Sequence, residues 1–460
     1  MSRISRIVAL AAAGSLAPAA LCQPIAHDFV IEGLSSDFGE TVAIEGGEIL
    51  VNGNDRIYRF DTSGTQFSGT YDTPAGASGI GFGTWPSGAI ALDGTKVVVG
   101  AAFDSVSAPN GGAAFVYDST GTPMMRLDSP NAEQGGNFGW SVAIDGNRIV
   151  VGARSETTPV GQKSGAAYLF DASTGALVAT LLPTVDPDEN IFGDPADEFD
   201  EDFGDAVAID GGVVAVGSPE DSNFDLPDDA KADIGSVTFF DAQSGAKLFR
   251  VRASDAANFD QFGFDVAMDG GLAVIGAPFD DDNGPGSGSA YIFDVATGTQ
   301  LHKLTADDGQ GGERFGSAVD ISNGVVAVGA PDDDGNTFQV GSVYAFDAST
   351  GDQIAKFQRS PGLSSSITGE DVAINANGVI VASARGDSDF GPGGAAFVFS
   401  LPSPLDFNGD GLINFSDVSA FLDDFFGSQS NAAGLDFNED GIVNFSDVTS
   451  FLSDYFAQSS

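Results

Sequence analysis

The residues whose types and spacing could do chemistry lie near the C-terminus. In residues 406–417, oxygen-bearing side chains stand at positions 1, 3, 5, 9 and 12 of a twelve-residue stretch: Asp406, Asn408, Asp410, Asn414 and Asp417. Gly411 at position 6 permits a sharp turn, and Leu412 at position 7 offers a backbone carbonyl. The stretch recurs 30 residues later as Asp436, Asn438, Asp440, Gly441, Ile442, Asn444 and Asp447, and residues 406–426 and 436–456 are identical at 14 of 21 positions. Several hard oxygen ligands in this order suit Ca²⁺, so one ion is expected in each stretch. A helix after each stretch must hold it in place. Val418, Phe421, Leu422 and Phe425, and again Val448, Phe451, Leu452 and Tyr455, fall at i, i+3, i+4 and i+7, the spacing of an amphipathic helix.

Other chemistries find little to work with. The chain has 460 residues, one cysteine (Cys22) and two histidines (His27 and His302), so an intramolecular disulfide, a cysteine-based zinc site and a multi-histidine metal centre are excluded. Asp and Glu number 66 against 18 Lys and Arg, for a formal charge of −48, which argues against nucleic acid and anionic membrane surfaces as partners. With so many carboxylates a close pair arises by chance, so no catalytic residue is nominated and the chain is read as non-enzymatic.

The rest of the chain is a repeat. A Phe-Gly pair recurs at Phe38, Phe82, Phe138, Phe203, Phe262 and Phe315, at spacings of 44, 56, 65, 59 and 53 residues. Each copy continues with an alternating strand, a hairpin such as Asp145-Gly146, Asp210-Gly211 or Asp269-Gly270, and a nearly all-β-branched strand such as Val97-Val98-Val99. An acidic loop, a third strand and an Asp-x-x-Thr-Gly hairpin (171–175, 347–351) come next, before a fourth strand. A seventh copy, 371–399, lacks the Phe-Gly pair and stops after its third strand, while residues 28–33 occupy the place of a fourth strand before the first pair. Seven four-stranded units predict a seven-bladed β-propeller over residues 28–400, with the N-terminal strand closing the last blade. The acidic loops at 280–283, 332–334 and 186–202 read either as solvated turns or as further Ca²⁺ ligands.

These motifs carry two resemblances. Phe-Gly followed by Gly-Ala-Pro, complete at Phe262/Gly276-Ala277-Pro278 and Phe315/Gly329-Ala330-Pro331, resembles the FG-GAP repeats of integrin α-chain propellers and bacterial secreted proteins. The calcium loop that such propellers often carry between a blade's first two strands is replaced here by a two-residue hairpin. The paired loop–helix units over 405–460, closed by Asp rather than the Glu of ordinary EF-hands, resemble dockerin domains, which attach secreted proteins to cohesin partners. That resemblance places partner recognition at Phe415, Ser416, Phe445 and Ser446. The two phenylalanines serve either as binding anchors or as part of the module's own core.

Residues 1–22 read as a secretory signal peptide, with Arg3 and Arg6 ahead of an apolar run and a small-x-small site before Gln23. Residues 401–404, Leu-Pro-Ser-Pro, form a stiff linker. The expectation is therefore an exported protein, extracellular, at the cell surface or periplasmic, with no membrane insertion after signal cleavage. Its all-β propeller would present a surface to an unknown protein or glycan. Its small α-helical dockerin-like module, carrying two Ca²⁺, would bind a cohesin-like or other envelope protein. A component or enzyme of a polysaccharide-degrading complex, with a glycoside hydrolase- or lyase-type propeller, and a self-associating structural surface protein are the alternatives.

Overall fold

The computed structural model describes residues 28–33, 38–53, 56–74, 89–159, 163–183, 202–222, 233–333, 340–358, 367–385 and 394–401, together with 418, 448–450 and 452. Two compact units divide the chain, one of Ile25–Phe399 and one of Met1–Pro24 with Ser400–Ser460. In the smaller unit Val418, residues 448–450 and Leu452 are helical, and Val418 and Val448 are buried.

The larger unit is an all-β, seven-bladed propeller of antiparallel four-stranded sheets. Blades 1 to 6 each use four consecutive strands; blade 5, for example, runs Val266–Asp269, Leu272–Ala277, Ser289–Asp294 and Thr299–Leu304. Blade 7 takes Ile367–Ile374, Val379–Arg385 and Gly394–Ser400 from one end of the unit and Phe29–Glu32 from the other, with Phe29 opposite Val398 and Glu32 opposite Ala395. The first strands of the blades, Val42–Glu45, Ile90–Asp93, Phe138–Asp145, Val207–Asp210, Val266–Asp269, Ala318–Ser322 and Ile367–Ile374, touch their neighbours in turn around the axis.

The β-branched second strands show why the ring holds. Ile149, Val150 and Val151 are fully buried because one face packs on the preceding blade and the other on the following one. The core is a set of layers between adjacent blades. One layer joins Val237, Phe239 and Phe262 to Ile275 and Tyr291; the next joins Val274 and Ile292 to Phe315, Val326 and Tyr344. Each fully buried Phe of a Phe-Gly pair is an anchor in its layer: Phe262 meets Tyr291 and Phe293 edge-on at 5.4 and 5.7 Å.

The glycines of the motif set the blade spacing. Gly263 (φ 94°) donates to the Gly276 carbonyl at 3.0 Å, and Gly276 donates to the Asp265 carbonyl at 2.9 Å. A Cβ on Gly276 would collide with the Gly316 carbonyl oxygen of blade 6, so the two blades approach this closely only through glycine. Blade 7 has Thr368-Gly369 where the others have Phe-Gly. Thr368 makes the same parallel bridge to Gly341 that Phe315 makes to Gly288, and the Gly369 carbonyl backs Gly329.

In the Asp-Gly hairpins the aspartate does not share the positive φ of the turn. The positive φ is carried by Gly146, by Gly211 and Gly212, and by Gly270 and Gly271, while Asp145, Asp210 and Asp269 end their strands. The freed carboxylates reach the neighbouring blade. Glu45 accepts from Gly94 N–H at 2.9 Å, Asp93 from Gly146 N–H, and Asp269 from Asn323 N–H at 2.6 Å.

Candidate functional site

Antiparallel order puts the first-to-second and third-to-fourth hairpins at one end of every blade. The second-to-third loops and the links between blades lie at the other. The hairpin end is built of two-residue turns and Asp-x-x-Thr-Gly turns. In the latter, Asp171 accepts from the Ser173 and Thr174 N–H groups at 3.1 and 3.0 Å, and Gly175 is left-handed. Hydroxyl and backbone donors hold the Asp171 carboxyl well below its ordinary range. The loop end carries the variable segments and is the candidate functional face.

An acidic residue four positions after the glycine of Gly-Ala-Pro, or its equivalent, organises each described loop: Asp104, Glu156, Asp221, Asp280 and Asp333. All five are buried. Their carbonyls accept from Gly112, Gly165, Gly235, Gly288 and Gly341 at 2.8–3.1 Å, and each of these glycines bridges to the Phe or Thr anchor of the next blade. In four of the blades the side chain meets a cation on the fourth strand, joined in blade 4 by Arg252 just beyond it. Arg126 binds Asp104 at 2.8 Å, Arg250 and Arg252 bind Asp221 at 3.4 and 3.0 Å, Lys303 binds Asp280 at 2.8 Å, and Lys356 binds Asp333 at 2.7 Å. Blade 3 has Thr180 at that register, and Glu156 is met by neutral donors, Ser129 Oγ at 2.7 Å and Tyr168 Oη at 2.9 Å. Burial raises the Glu156 carboxyl, against the pull of those hydroxyls.

The blade 5 cluster is the most charged. Asp255, Asp280 and Asp282 place one carboxylate oxygen each within 4.8 Å of the others. Lys303 Nζ reaches all three, at 2.7, 2.8 and 2.5 Å, and Tyr291 Oη donates to Asp280 at 2.6 Å. Burial alone would lower the Lys303 ammonium, but its hydrogen bonds to Asp255, Asp280 and Asp282 hold it above its ordinary value. The loop expected as solvated turn or Ca²⁺ ligand is thus anchored by its first aspartate against a lysine. The loop at 332–334 is anchored against a lysine by its second aspartate, Asp333 against Lys356. Of the 186–202 loop, Asp202 is described, and it pairs with Arg154 at 2.7 Å.

Aromatic groups stand beside these clusters. Phe103 meets Trp140 edge-on at 6.3 Å, Arg154 lies over the Trp140 ring at 4.2 Å, and Phe279 meets Phe264 at 6.5 Å. Phe259, Phe103 and Phe279 are exposed. Among the described residues, Asp260 and Glu313 are further buried loop acids with no cation in hydrogen-bond range: desolvation pushes Asp260 up to about 6 and Glu313 up to about 7.

The expected Ca²⁺ ligands Asp406, Asn408, Asp410, Leu412, Asn414, Asp417, Asp436, Asn438, Asp440, Ile442, Asn444 and Asp447 lie outside the described residues, as do Phe415, Ser416, Phe445 and Ser446. Among the described residues no helix is long and apolar enough to cross a membrane.

Comparison with known proteins agrees with the repeat. Residues 123–170, 247–293 and 299–346 match the FG-GAP repeat family. The chain therefore carries FG-GAP repeats on a seven-bladed β-propeller. No curated protein matches it. Among solved structures, the computationally designed Ika8 protein is similar at 15% identity and a TM-score of 0.47, covering 82% of this chain and 100% of that one.

Proposed function

We propose that the protein is an exported, non-enzymatic binding or adhesion protein. Its propeller presents the loop face to a protein or glycan, and its C-terminal module, loaded with two Ca²⁺, anchors it to a cohesin-like or other envelope partner. One observation carries the propeller half of this reading. The second-to-third loops and the exposed Phe103, Phe259 and Phe279 belong to one end of the blades; the other end is built of tight turns, with Phe67 exposed beside one of them. Exposed aromatics on a rigid frame are the usual anchors of an interface. The FG-GAP match supports the same role. The anchoring half rests on the tandem twelve-residue loops, whose Asp, Asn and carbonyl ligands become a stable site only when an ion offsets their mutual repulsion.

The test is a binding assay with the full chain immobilised and the source's envelope and secreted proteins passed over it, in calcium and in chelator. A partner retained in calcium, released by chelator, and lost with Asp406→Ala/Asp436→Ala supports anchoring. Retention that ignores both calcium and these substitutions overturns it. Turnover of a polysaccharide by the propeller would overturn the non-enzymatic reading.

A further inference from the structure

The seven inner strands line an open cavity of about 300 Å³ on the propeller axis, with Ala43, Ala91, Ala143, Ala208 and Ala267 among its lining residues. Four carboxylates stand in its wall on consecutive blades, Asp265 on blade 5, Asp320 on blade 6, Asp371 on blade 7 and Glu45 on blade 1, and the three aspartates each reach a backbone N–H of the following inner strand. Asp265 and Asp371 are buried and Asp320 is partly so.

Each of them joins its own blade to the next. Asp265 accepts from Val266 N–H at 2.9 Å and from Val319 N–H of blade 6 at 2.8 Å. Asp320 accepts from Ile321 N–H at 2.8 Å and from Ile374 N–H of blade 7 at 2.7 Å. Asp371 accepts from Val42 N–H of blade 1 at 2.8 Å, while its own N–H donates to Ser383 Oγ at 2.8 Å. The last joint links the two ends of the propeller unit, where the ring closes. Across the ring, between blades 3 and 4, the inner-strand contact is neutral, Ser141 Oγ to the Gly204 carbonyl at 2.9 Å.

Other charged groups near the three are also acidic. Asp205 is paired with Arg154 at 2.7 Å, Asp269 accepts from Asn323 N–H, and Glu45 accepts from Gly94 N–H. Among the described residues lining the cavity there is no Lys, Arg or His. Desolvation therefore acts on the trio without a counter-cation. It pushes Asp265 and Asp320 up to about 7 and Asp371 well above the ordinary carboxylate range, against the opposing pull of the backbone N–H donors.

We propose that Asp265, Asp320 and Asp371 form a proton-operated clasp. With protons bound, blades 5, 6, 7 and 1 are held together; with all three carboxyls ionised, like charges gathered in one cavity repel, outweighing the stronger N–H bonds of the ionised form, and loosen these joints. Because the folded-state values are raised, the stabilisation is complete below the ordinary carboxyl range near 4 and is lost as pH rises through about 7.

Amide hydrogen exchange on the full wild-type chain tests this, with intrinsic exchange rates divided out at each pH. Between pH 5.5 and 8.5, protection at Val42, Val319 and Ile374 is expected to fall roughly tenfold or more, the size of at least one pKa unit of linkage. Protection at Gly146, held by Asp93 at the hairpin end and away from the cavity wall, is expected to hold level. Asp320→Asn should abolish part of the fall at Ile374. Equal changes at the three axial amides and at Gly146, or no change at either, would overturn the clasp, and wild-type protein alone decides between these outcomes.

Discussion

Lys303→Met isolates the ion pair that anchors the blade 5 loop. The substitution keeps an unbranched side chain beside Tyr291, whose ring centroid is 5.2 Å from Nζ, and removes only the charge and its three donors. Asp280 is then left with a side chain 5% exposed and no cation, whereas Asp255 and Asp282 are about half exposed and keep their water. Removing one partner of a buried pair costs about 3–5 kcal/mol. With two of the three carboxylates already wet, the loss belongs at the lower end, about 3 kcal/mol. At about 2 °C per kcal/mol, the response of large domains, the propeller transition should fall by about 6 °C in a calorimetric melt. Adding Asp280→Asn should return most of that loss, because the uncompensated charge is then gone. The variant also vacates a trio of carboxylates within 4.8 Å of one another, so millimolar calcium should restore part of the melt in Lys303→Met and leave the parent unmoved. Both proteins would carry Asp406→Ala/Asp436→Ala, so that calcium cannot act through the C-terminal loops. A Lys303→Met melt that superimposes on its parent, or a double variant no better than the single one, would refute the argument that Lys303 neutralises a buried charge.

The same geometry sets other outcomes. Gly276→Ala should lower stability by about 2 kcal/mol or more, since its Cβ meets the Gly316 backbone and neither blade can yield without opening the layer; chemical denaturation measures it. Phe262→Ala removes a fully buried ring from the layer between blades 4 and 5 and should cost about 3–5 kcal/mol by the same assay. Asp406→Ala/Asp436→Ala should erase any calcium-dependent rise in the melt of the smaller unit while leaving the propeller transition in place, which calorimetry with and without chelator resolves. Tyr291→Phe should cost about 1 kcal/mol, one hydrogen-bond donor to Asp280, far less than Lys303→Met.

Much of the fold was legible in the sequence, for a physical reason. Phe-Gly, the β-branched strand and Gly-Ala-Pro lie within 17 residues of one another, as in Phe262 to Pro278, and the backbone contacts they make are repeated blade by blade. Strand count and blade count come from that periodicity. Blade 7 was harder to place because Thr368 replaces the Phe, and only the backbone bridge to Gly341, invisible in residue types, preserves the joint. The cation partners of the loop acids were hidden because Asp280 and Lys303 are 23 residues apart and meet only through the pairing of the third and fourth strands. The axial carboxylates were hidden for a related reason. Asp265 and Asp371 stand three positions after the anchors Phe262 and Thr368, whereas Asp320 stands five after Phe315, so no repeat alignment groups them. The C-terminal loops were the most specific signal in the chain, and their ligands lie outside the described residues.

The acid excess of the propeller takes on a different meaning once its side chains are placed. Residues 23–404 hold 56 acidic and 16 basic side chains, an imbalance that reads from composition as a coat for solubility. Many of these carboxylates instead accept backbone N–H groups that tight turns and blade joints would otherwise leave unmet. Asp118, Asp171, Asp241 and Asp294 cap their own hairpins and are held below the ordinary carboxyl range, chiefly by Ser and Thr hydroxyls. Asp93, Asp265, Asp269, Asp320 and Asp371 cap the neighbouring blade. A propeller of short strands exposes many such N–H groups, and aspartate is the shortest side chain that offers two acceptors. The hairpin acids contribute stability that is present above the ordinary carboxyl range and lost as pH falls below it. The axial acids contribute stability that is lost as pH rises through about 7. Charge of one sign thus acts in two opposite senses, according to whether water reaches it. The two contributions are therefore both complete only near the ordinary carboxyl range, the hairpin one declining below it and the axial one above it.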